Sequence, residues 1–217
     1  AGNISVDATD SVVISGSGSG LISASFEFSS GDAGNISITA PSIVVENGGA
    51  ISSNTGLSGD AGTITVKTDS LQLRSGGQIT SRSLLEYPET PPSGTAGTVT
   101  VKGLANRAQS ILIDGLGSGV FTDTEGQGEG GNITLNADNI TIQHGGILSA
   151  KTSGTQASAI GGTITVNASQ VQLDSGAAIT ANSNGVAHAG NINVTANDGL
   201  TMQNSSITTL VHPNNNG

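Results

Sequence analysis

Acidic side chains gather in two neighbouring connections of the chain, where they could ligate a metal ion. Glu86 and Glu89 lie in one connection, and Asp123, Glu125 and Glu129 lie in the corresponding connection one repeat later. A hard cation such as Ca²⁺ takes several carboxylate and carbonyl oxygens from flexible segments. These five residues are therefore the candidate metal ligands, with Ca²⁺ as the expected ion. Solvated surface charge is the alternative interpretation, and no other cofactor is expected.

The first of these connections is also the candidate recognition loop. It runs from Ser81 to Ala96 and holds the only tyrosine and three of the five prolines. Loops on a rigid scaffold often carry recognition. The alternative is a tolerated surface insertion, or a flap in which Leu84 and Leu85 cover apolar surface. A second insertion, from Lys102 to Ser110, separates the first and second strands of the fourth coil. The residues expected to contact a partner are Leu84, Leu85, Glu86, Tyr87, Pro88 and Glu89.

A catalytic constellation is not visible in the sequence. Lyases and hydrolases that act on polysaccharides need carboxylates that converge with Lys, Arg or His. The histidines fall in different repeats, and the arginines are not expected to converge with lysines; these residues are His144, His188, His212, Arg74, Arg82 and Arg107. We expect a non-enzymatic protein and assign no catalytic or cofactor-binding residues. A carbohydrate-active enzyme is the alternative.

Composition excludes several classes of partner. Six Lys and Arg stand against sixteen Asp and Glu, for a net charge of −10, so no basic surface for nucleic acid can be built. No apolar run reaches the roughly 18 residues of a membrane helix, so membrane insertion is not expected. The chain has no cysteine, which is compatible with secretion by a route that avoids disulfides.

One short motif recurs along the whole chain. It consists of Gly, then Asn or Thr, an aliphatic residue, a small polar residue and a second aliphatic residue. Such self-similarity at a period of about 31 residues is the signature of a repeat architecture. The motif begins at Gly2, Gly34, Gly62, Gly97, Gly131, Gly162 and Gly190.

Each repeat contains two further runs that alternate apolar and polar residues, which is typical of half-buried strands. The second strand is expected at Val12/Ile14, Ile43/Val45, Leu71/Leu73, Ile111/Ile113, Ile140/Ile142, Val171/Leu173 and Leu200/Met202. The third is expected to centre on Ile22, Ile51, Ile79, Phe121, Leu148, Ile179 and Ile207. The outward positions are expected to carry Ser, Thr, Asn, Gln and Asp.

These patterns predict an all-β fold, a right-handed parallel β-helix (β-solenoid) of about seven coils with three short strands each. The strands are expected to form three parallel sheets around a narrow aliphatic core. Residues 1–217 are expected to be a single domain, an excerpt of a longer array.

Three further expectations follow from the predicted register. Glu46, Arg74 and Asp114 should form a ladder in which the arginine lies between two carboxylates. Asp32 and Asp60 should lie in equivalent positions as a second, weaker cation site. Outward Thr, Asn and Ser columns on the first strand suggest polar laddering, with an ice-binding face as a third alternative function.

The glycine motif, segments such as "GGAISS" (48–53), "GGQITS" (76–81) and "GAAITA" (176–181), and the Cys-free acidic composition resemble the passenger repeats of filamentous-haemagglutinin-like exoproteins. That family is secreted by the two-partner route in Gram-negative bacteria. The resemblance implies a large secreted or cell-surface protein that acts as an adhesin, a matrix component or a stalk. It also implies an outer-membrane two-partner transporter for the full-length protein.

We therefore expect a structural and adhesive β-helix segment of a bacterial surface exoprotein, found outside the cell. Its expected partners are glycans, extracellular matrix or neighbouring cell surfaces.

Overall fold

The computed structural model describes residues 1–25, 29–56, 58–84, 93–153 and 159–212. All regular structure in this part of the chain is β. The strands are β1 (Ile4–Asp7), β2 (Ser11–Ser15), β3 (Gly20–Ile22), β4 (Ile36–Thr39), β5 (Ser42–Glu46), β6 (Ala50–Ser52), β7 (Ile64–Lys67), β8 (Ser70–Arg74), β9 (Gln78–Thr80), β10 (Val99–Lys102), β11 (Ala108–Asp114), β12 (Gly119–Phe121), β13 (Ile133–Gln143), β14 (Ile147–Ser149), β15 (Ile164–Asp174), β16 (Ala178–Thr180), β17 (Ile192–Gln203) and β18 (Ser206–Thr208).

The strands stack as a parallel β-solenoid, in which about six turns of the chain separate the seven motif strands. The motif strand of each coil pairs in parallel with that of the next, from β1 to β17. The predicted positions of all seven second strands are confirmed by the pairings of Val12 with Ile43 and onward to Leu200. Among the described residues there is no helix, and hence none that could span a membrane.

Two sheets form instead of the three expected. In the last three coils the first and second strands are continuous, as in β13, so both columns belong to one eleven-stranded sheet. In the second coil the two strands are interrupted at Pro41, which has no N–H to donate. The third strands form a separate seven-stranded sheet. A column of isolated parallel bridges follows it, from Ser25 through Thr55 to Val211.

The predicted centre of the third strand is wrong in two coils. The residues in register with Ile51 and Ile79 are Leu21 and Val120. Ile22 therefore points outward and is 53% exposed. Phe121 also lies on the outer face, where other side chains cover it. Both errors arise where two apolar residues are adjacent, so that alternation does not show which one faces the core.

The first four coils are each closed by a buried hydroxyl group next to a motif glycine. The Ser53 hydroxyl donates to the carbonyl oxygen of Gly34 (2.7 Å) and accepts from the N–H of Gly62 in the next coil (3.0 Å). A Cβ atom at Gly62 would collide with the Gly34 carbonyl oxygen and with the Ser53 hydroxyl. Ser23, Ser81 and Thr122 also donate to a motif-glycine carbonyl. The expectation that hydroxyl side chains point outward is therefore wrong at this inner corner.

The core is a continuous column of aliphatic side chains. Ile64, Leu73, Ile79 and Ile142 are fully buried, and most of the inward side chains between the end coils are also buried. Burying such a side chain contributes about 2 kcal/mol. Because every coil covers the core of its neighbours, stability is expected to depend on contacts between adjacent coils.

Ile64→Asp and Ile142→Asp each place an unpaired carboxylate in this core, which should cost about 3–5 kcal/mol of unfolding free energy. We expect a large fall in the thermal midpoint, measured by circular dichroism. Thr65→Asp, at the neighbouring outward position, is the matched control and should melt close to the wild type. A core variant with an unchanged midpoint would show that the inward and outward assignment is wrong.

Candidate functional site

One outward residue per coil forms a column between the third strand and the column of isolated bridges. Each member lies three positions after the core residue of the third strand, and in the first four coils it lies between two buried hydroxyl residues. We call this set the corner column. Its members are Ala24, Asn54, Arg82, Asp123, Lys151, Asn182 and Leu210.

Asp123 is the most highly connected side chain of the corner column. Its Oδ2 lies 3.5 Å from Nη2 of Arg82 in the preceding coil. Its Oδ1 accepts the main-chain N–H of Lys151 in the following coil (2.9 Å) and the hydroxyl of Ser149. The carboxylate thus joins three successive coils, and its charge is balanced by a partly buried guanidinium.

Arg82 is held between a charge and an aromatic ring. Its guanidinium carbon lies 4.2 Å from the centroid of the Phe121 ring, a cation–π contact. Its Nε is buried without a hydrogen-bond partner. Burial lowers the pKa of Arg82, while the charges of Asp123 and Glu125 act in the opposite direction. Because the pKa of an arginine lies far above neutral pH, Arg82 stays protonated and is a fixed positive charge on this face.

Arg82 and Lys151 occupy the corner-column positions on either side of Asp123. Arg82 contacts the carboxylate through its guanidinium and Lys151 through its main-chain N–H. The expectation that arginines do not converge with lysines stays a prediction. Arg82 and Asp123 place one cation and one carboxylate side by side on this face. The sequence held the necessary signal, since Arg82, Asp123 and Lys151 each follow a core residue of the third strand by three positions. With Phe121 instead of Val120 as the predicted centre of the third strand, the fourth coil is displaced by one residue. The alignment of Asp123 with Arg82 and Lys151 is then not apparent from the sequence.

Other Asn and Asp side chains have a structural task. The main-chain N–H groups of Arg82 and Leu210 donate to Oδ1 of Asn54 (2.9 Å) and Asn182 (2.8 Å) of the preceding coil. Asp32 and Asp60 do the same for the N–H groups of Asp60 and Thr95. A side-chain oxygen thus replaces the backbone acceptor that is lost where the strand ends.

The predicted calcium ligands are only partly described. Glu86 and Glu89 lie outside the described residues. The Asp123 carboxylate already contacts Arg82, Ser149 and Lys151. The side chains of Glu125 and Glu129 are exposed. Within the described ranges, no three His, Asp or Glu side chains lie together in a way that could hold a metal ion. Calcium binding through the five residues stays a prediction.

The predicted recognition loop also falls mainly outside the described residues. Of its six residues, Leu84 alone is described. Leu84 is half-buried, and its N–H donates to the carbonyl oxygen of Thr55 (2.8 Å). The second insertion lies between β10 and β11, where Gly103 and Asn106 form a turn and Leu104 is exposed.

The predicted charge ladder is divided into two pairs. Glu46, Arg74 and Asp114 are in register as expected. Nε of Arg74 contacts Oε2 of Glu46 at 2.7 Å, but Asp114 instead contacts Nδ1 of His144 at 2.7 Å. In both pairs the cationic side chain is exposed and the carboxylate is partly exposed, so each pair should contribute little to stability.

The outward columns of the first strand are confirmed. Thr65, Thr100, Thr134 and Thr165 stack in consecutive coils. In the neighbouring column, Asn35 and Asn132 use Oδ1 to accept the N–H of the residue in the next coil, at 2.7 and 2.8 Å. These asparagines thus stabilise the stack, which is polar laddering. Ice binding by this face stays a prediction.

Two of the three arginines, Arg82 and Arg74, allow a direct comparison of a covered and an exposed charge. Arg82→Ala removes the contact with Phe121 and leaves Asp123 without its ion-pair partner, so we expect a loss of about 1–3 kcal/mol. Arg74→Ala, in an exposed pair, should cost less than about 1 kcal/mol. Urea unfolding measures both. Equal effects would contradict the assigned role of Arg82.

Comparison with known proteins identifies no relative of this chain. No protein-family model, no curated protein and no solved structure matches this chain.

Proposed function

We propose that this chain is a non-enzymatic, rigid segment of a secreted bacterial surface exoprotein, which attaches to glycans, matrix or neighbouring cells or holds other domains away from the surface. The observation that supports the proposal is the unbroken parallel stack from β1 to β17 around one buried column. In such a stack each coil packs in a fixed position on the one before it, and a spacer or an extended binding surface requires such a regular arrangement.

The surface of the stack also favours attachment. Outward positions carry mostly uncharged Ser, Thr, Asn and Gln, which present hydrogen-bond donors and acceptors without a strong field. Insertions fall at two places, before β11 and after the bridge column, so the length of these connections varies while the core is maintained. Surface connections of this kind are where binding specificity commonly resides.

Secretion through an outer-membrane transporter is part of the same proposal. A chain without cysteine can cross a membrane unfolded with no disulfide to reduce. Coil-by-coil stacking would then allow each emerging repeat to fold on the one before it. The resemblance of the glycine motif to two-partner passenger repeats supports this route.

A carbohydrate-active enzyme is the second candidate, and the pairing of Asp123 with Arg82 favours it. A carboxylate can act as a general base while a neighbouring cation binds the carboxylate of an acidic sugar. Incubation with pectin and alginate, followed by an assay for new reducing ends, tests this alternative. Product formation that is lost in Asp123→Asn would replace the proposed function with the enzymatic one.

A binding screen tests attachment directly. The protein would be applied to immobilised polysaccharides, matrix proteins and bacterial cells, with Ca²⁺ and with chelator. A variant in which residues 85–92 are replaced by a short Gly-Ser linker retains Arg82 and Thr95, which contact neighbouring coils. We expect binding by the wild type that weakens in this variant, and calcium dependence if the acidic residues ligate the ion.

The matched control is a replacement of the second insertion, residues 103–107, by the same type of linker. Equal binding by all three proteins would show that the long connection is not the recognition element. Absence of binding by the wild type to every surface would reduce the proposal to its spacer part.

A further inference from the structure

A shallow polar groove crosses the outer face of the fifth, sixth and seventh coils, away from the corner column. Its volume is about 190 Å³. The floor is formed by Ile140 and Val171, which are 1% and 2% exposed. The walls are formed by Asn139, Thr141, Gln170, Gln172, Asp198 and Thr201, with Gly199 at one end.

An irregularity in β17 shapes this groove. Ala168 pairs with Ala196, but Gln170 pairs with Gly199, so β17 contains one extra residue at this point. Such β-bulges redirect side chains and are common beside binding sites. Asp198 lies in the bulge and is exposed, and Gly199 (φ 155°) has no side chain at the position where Gln170 and Asn139 carry amides. Space opens there as a result.

The groove presents hydrogen-bonding groups that the protein does not use. Nδ2 of Asn139 makes one long contact, 3.4 Å to the carbonyl oxygen of Gln109. The side-chain amides of Gln170 and Gln172 make no hydrogen bond to other described residues, and both side chains are exposed. Each amide offers two donors and an acceptor, and the hydroxyls of Thr141 and Thr201 offer one donor each.

We propose that this groove binds a neutral polysaccharide. Sugar hydroxyls need both donors and acceptors, which paired amide and hydroxyl side chains provide. Asp198 is the one charged residue in the lining, and the chain carries a net charge of −10, so anionic polymers are repelled. The groove spans three coils, roughly 10 Å at the spacing of neighbouring strands, and so accepts a short run of linked sugars. The inference rests on the proposed attachment function and locates its glycan site.

Affinity electrophoresis in gels that contain dextran, hydroxyethyl cellulose or galactan tests the groove, with alginate as the anionic comparison. The double variant Gln170→Ala/Gln172→Ala removes both free amides from an exposed surface, so the fold should be retained. We expect binding of one neutral polymer to weaken at least about tenfold. Gln72→Ala is the matched control, because Gln72 occupies the same column as Gln172 but lies between Val44 and Leu112, outside the groove.

The outcomes separate the groove from the wider function. Retarded migration that is lost in the double variant and kept in Gln72→Ala, and in the 85–92 replacement, supports the groove. Neutral-polymer binding that the double variant keeps overturns the groove and leaves attachment in place. Absence of retardation by all three neutral polymers also overturns it, whether or not the protein adheres to cells or matrix. Equal binding to alginate contradicts the charge argument.

Discussion

Successive coils of this protein meet at their motif glycines, where backbone lies directly on backbone. The space above Gly34 admits no side chain at Gly62, and the Ser53 hydroxyl bridges the two. This contact joins the end of one coil to its own beginning and to the beginning of the next. In the fifth and sixth coils alanines replace the hydroxyl residues, and main-chain bonds from Gly162 and Gly190 hold the same position. The strand register follows from this closure.

The closure explains where the chain can vary. The bridge column from Ser25 to Val211 follows the closing residue, so the chain is already fixed when it enters the connection back to the first strand. That connection can therefore differ in length from coil to coil while the stacking of the strands stays the same. The interruption at 103–107 lies between two strands that are each held by neighbours on both sides. Candidate binding features can therefore differ from coil to coil on a constant frame.

Most of the fold could be predicted from the sequence because its signals are local. The motif strands and second strands alternate cleanly, and their register is as predicted. The third strand is ambiguous where Leu21 precedes Ile22 and Val120 precedes Phe121, since either residue could face the core. The pairing of Arg82 with Asp123 depends on that register, and the groove depends on a bulge at Asp198 that alternation does not reveal. Buried hydroxyls such as Ser53 were also missed, because their acceptor, the glycine carbonyl, lies far away in sequence.

The most direct test of the account concerns whether each coil lies in register on the one before. The chain has no cysteine, so a pair can be introduced without interference. Thr65 and Thr100 are aligned partners in adjacent coils, about 4.8 Å apart, whereas Thr65 and Thr134 are separated by a further coil. A disulfide needs Cα atoms within about 7 Å. We predict that mild oxidation links Thr65→Cys with Thr100→Cys within one chain and does not link Thr65→Cys with Thr134→Cys. The reverse pattern, or equal linkage in both pairs, would contradict the stacked register.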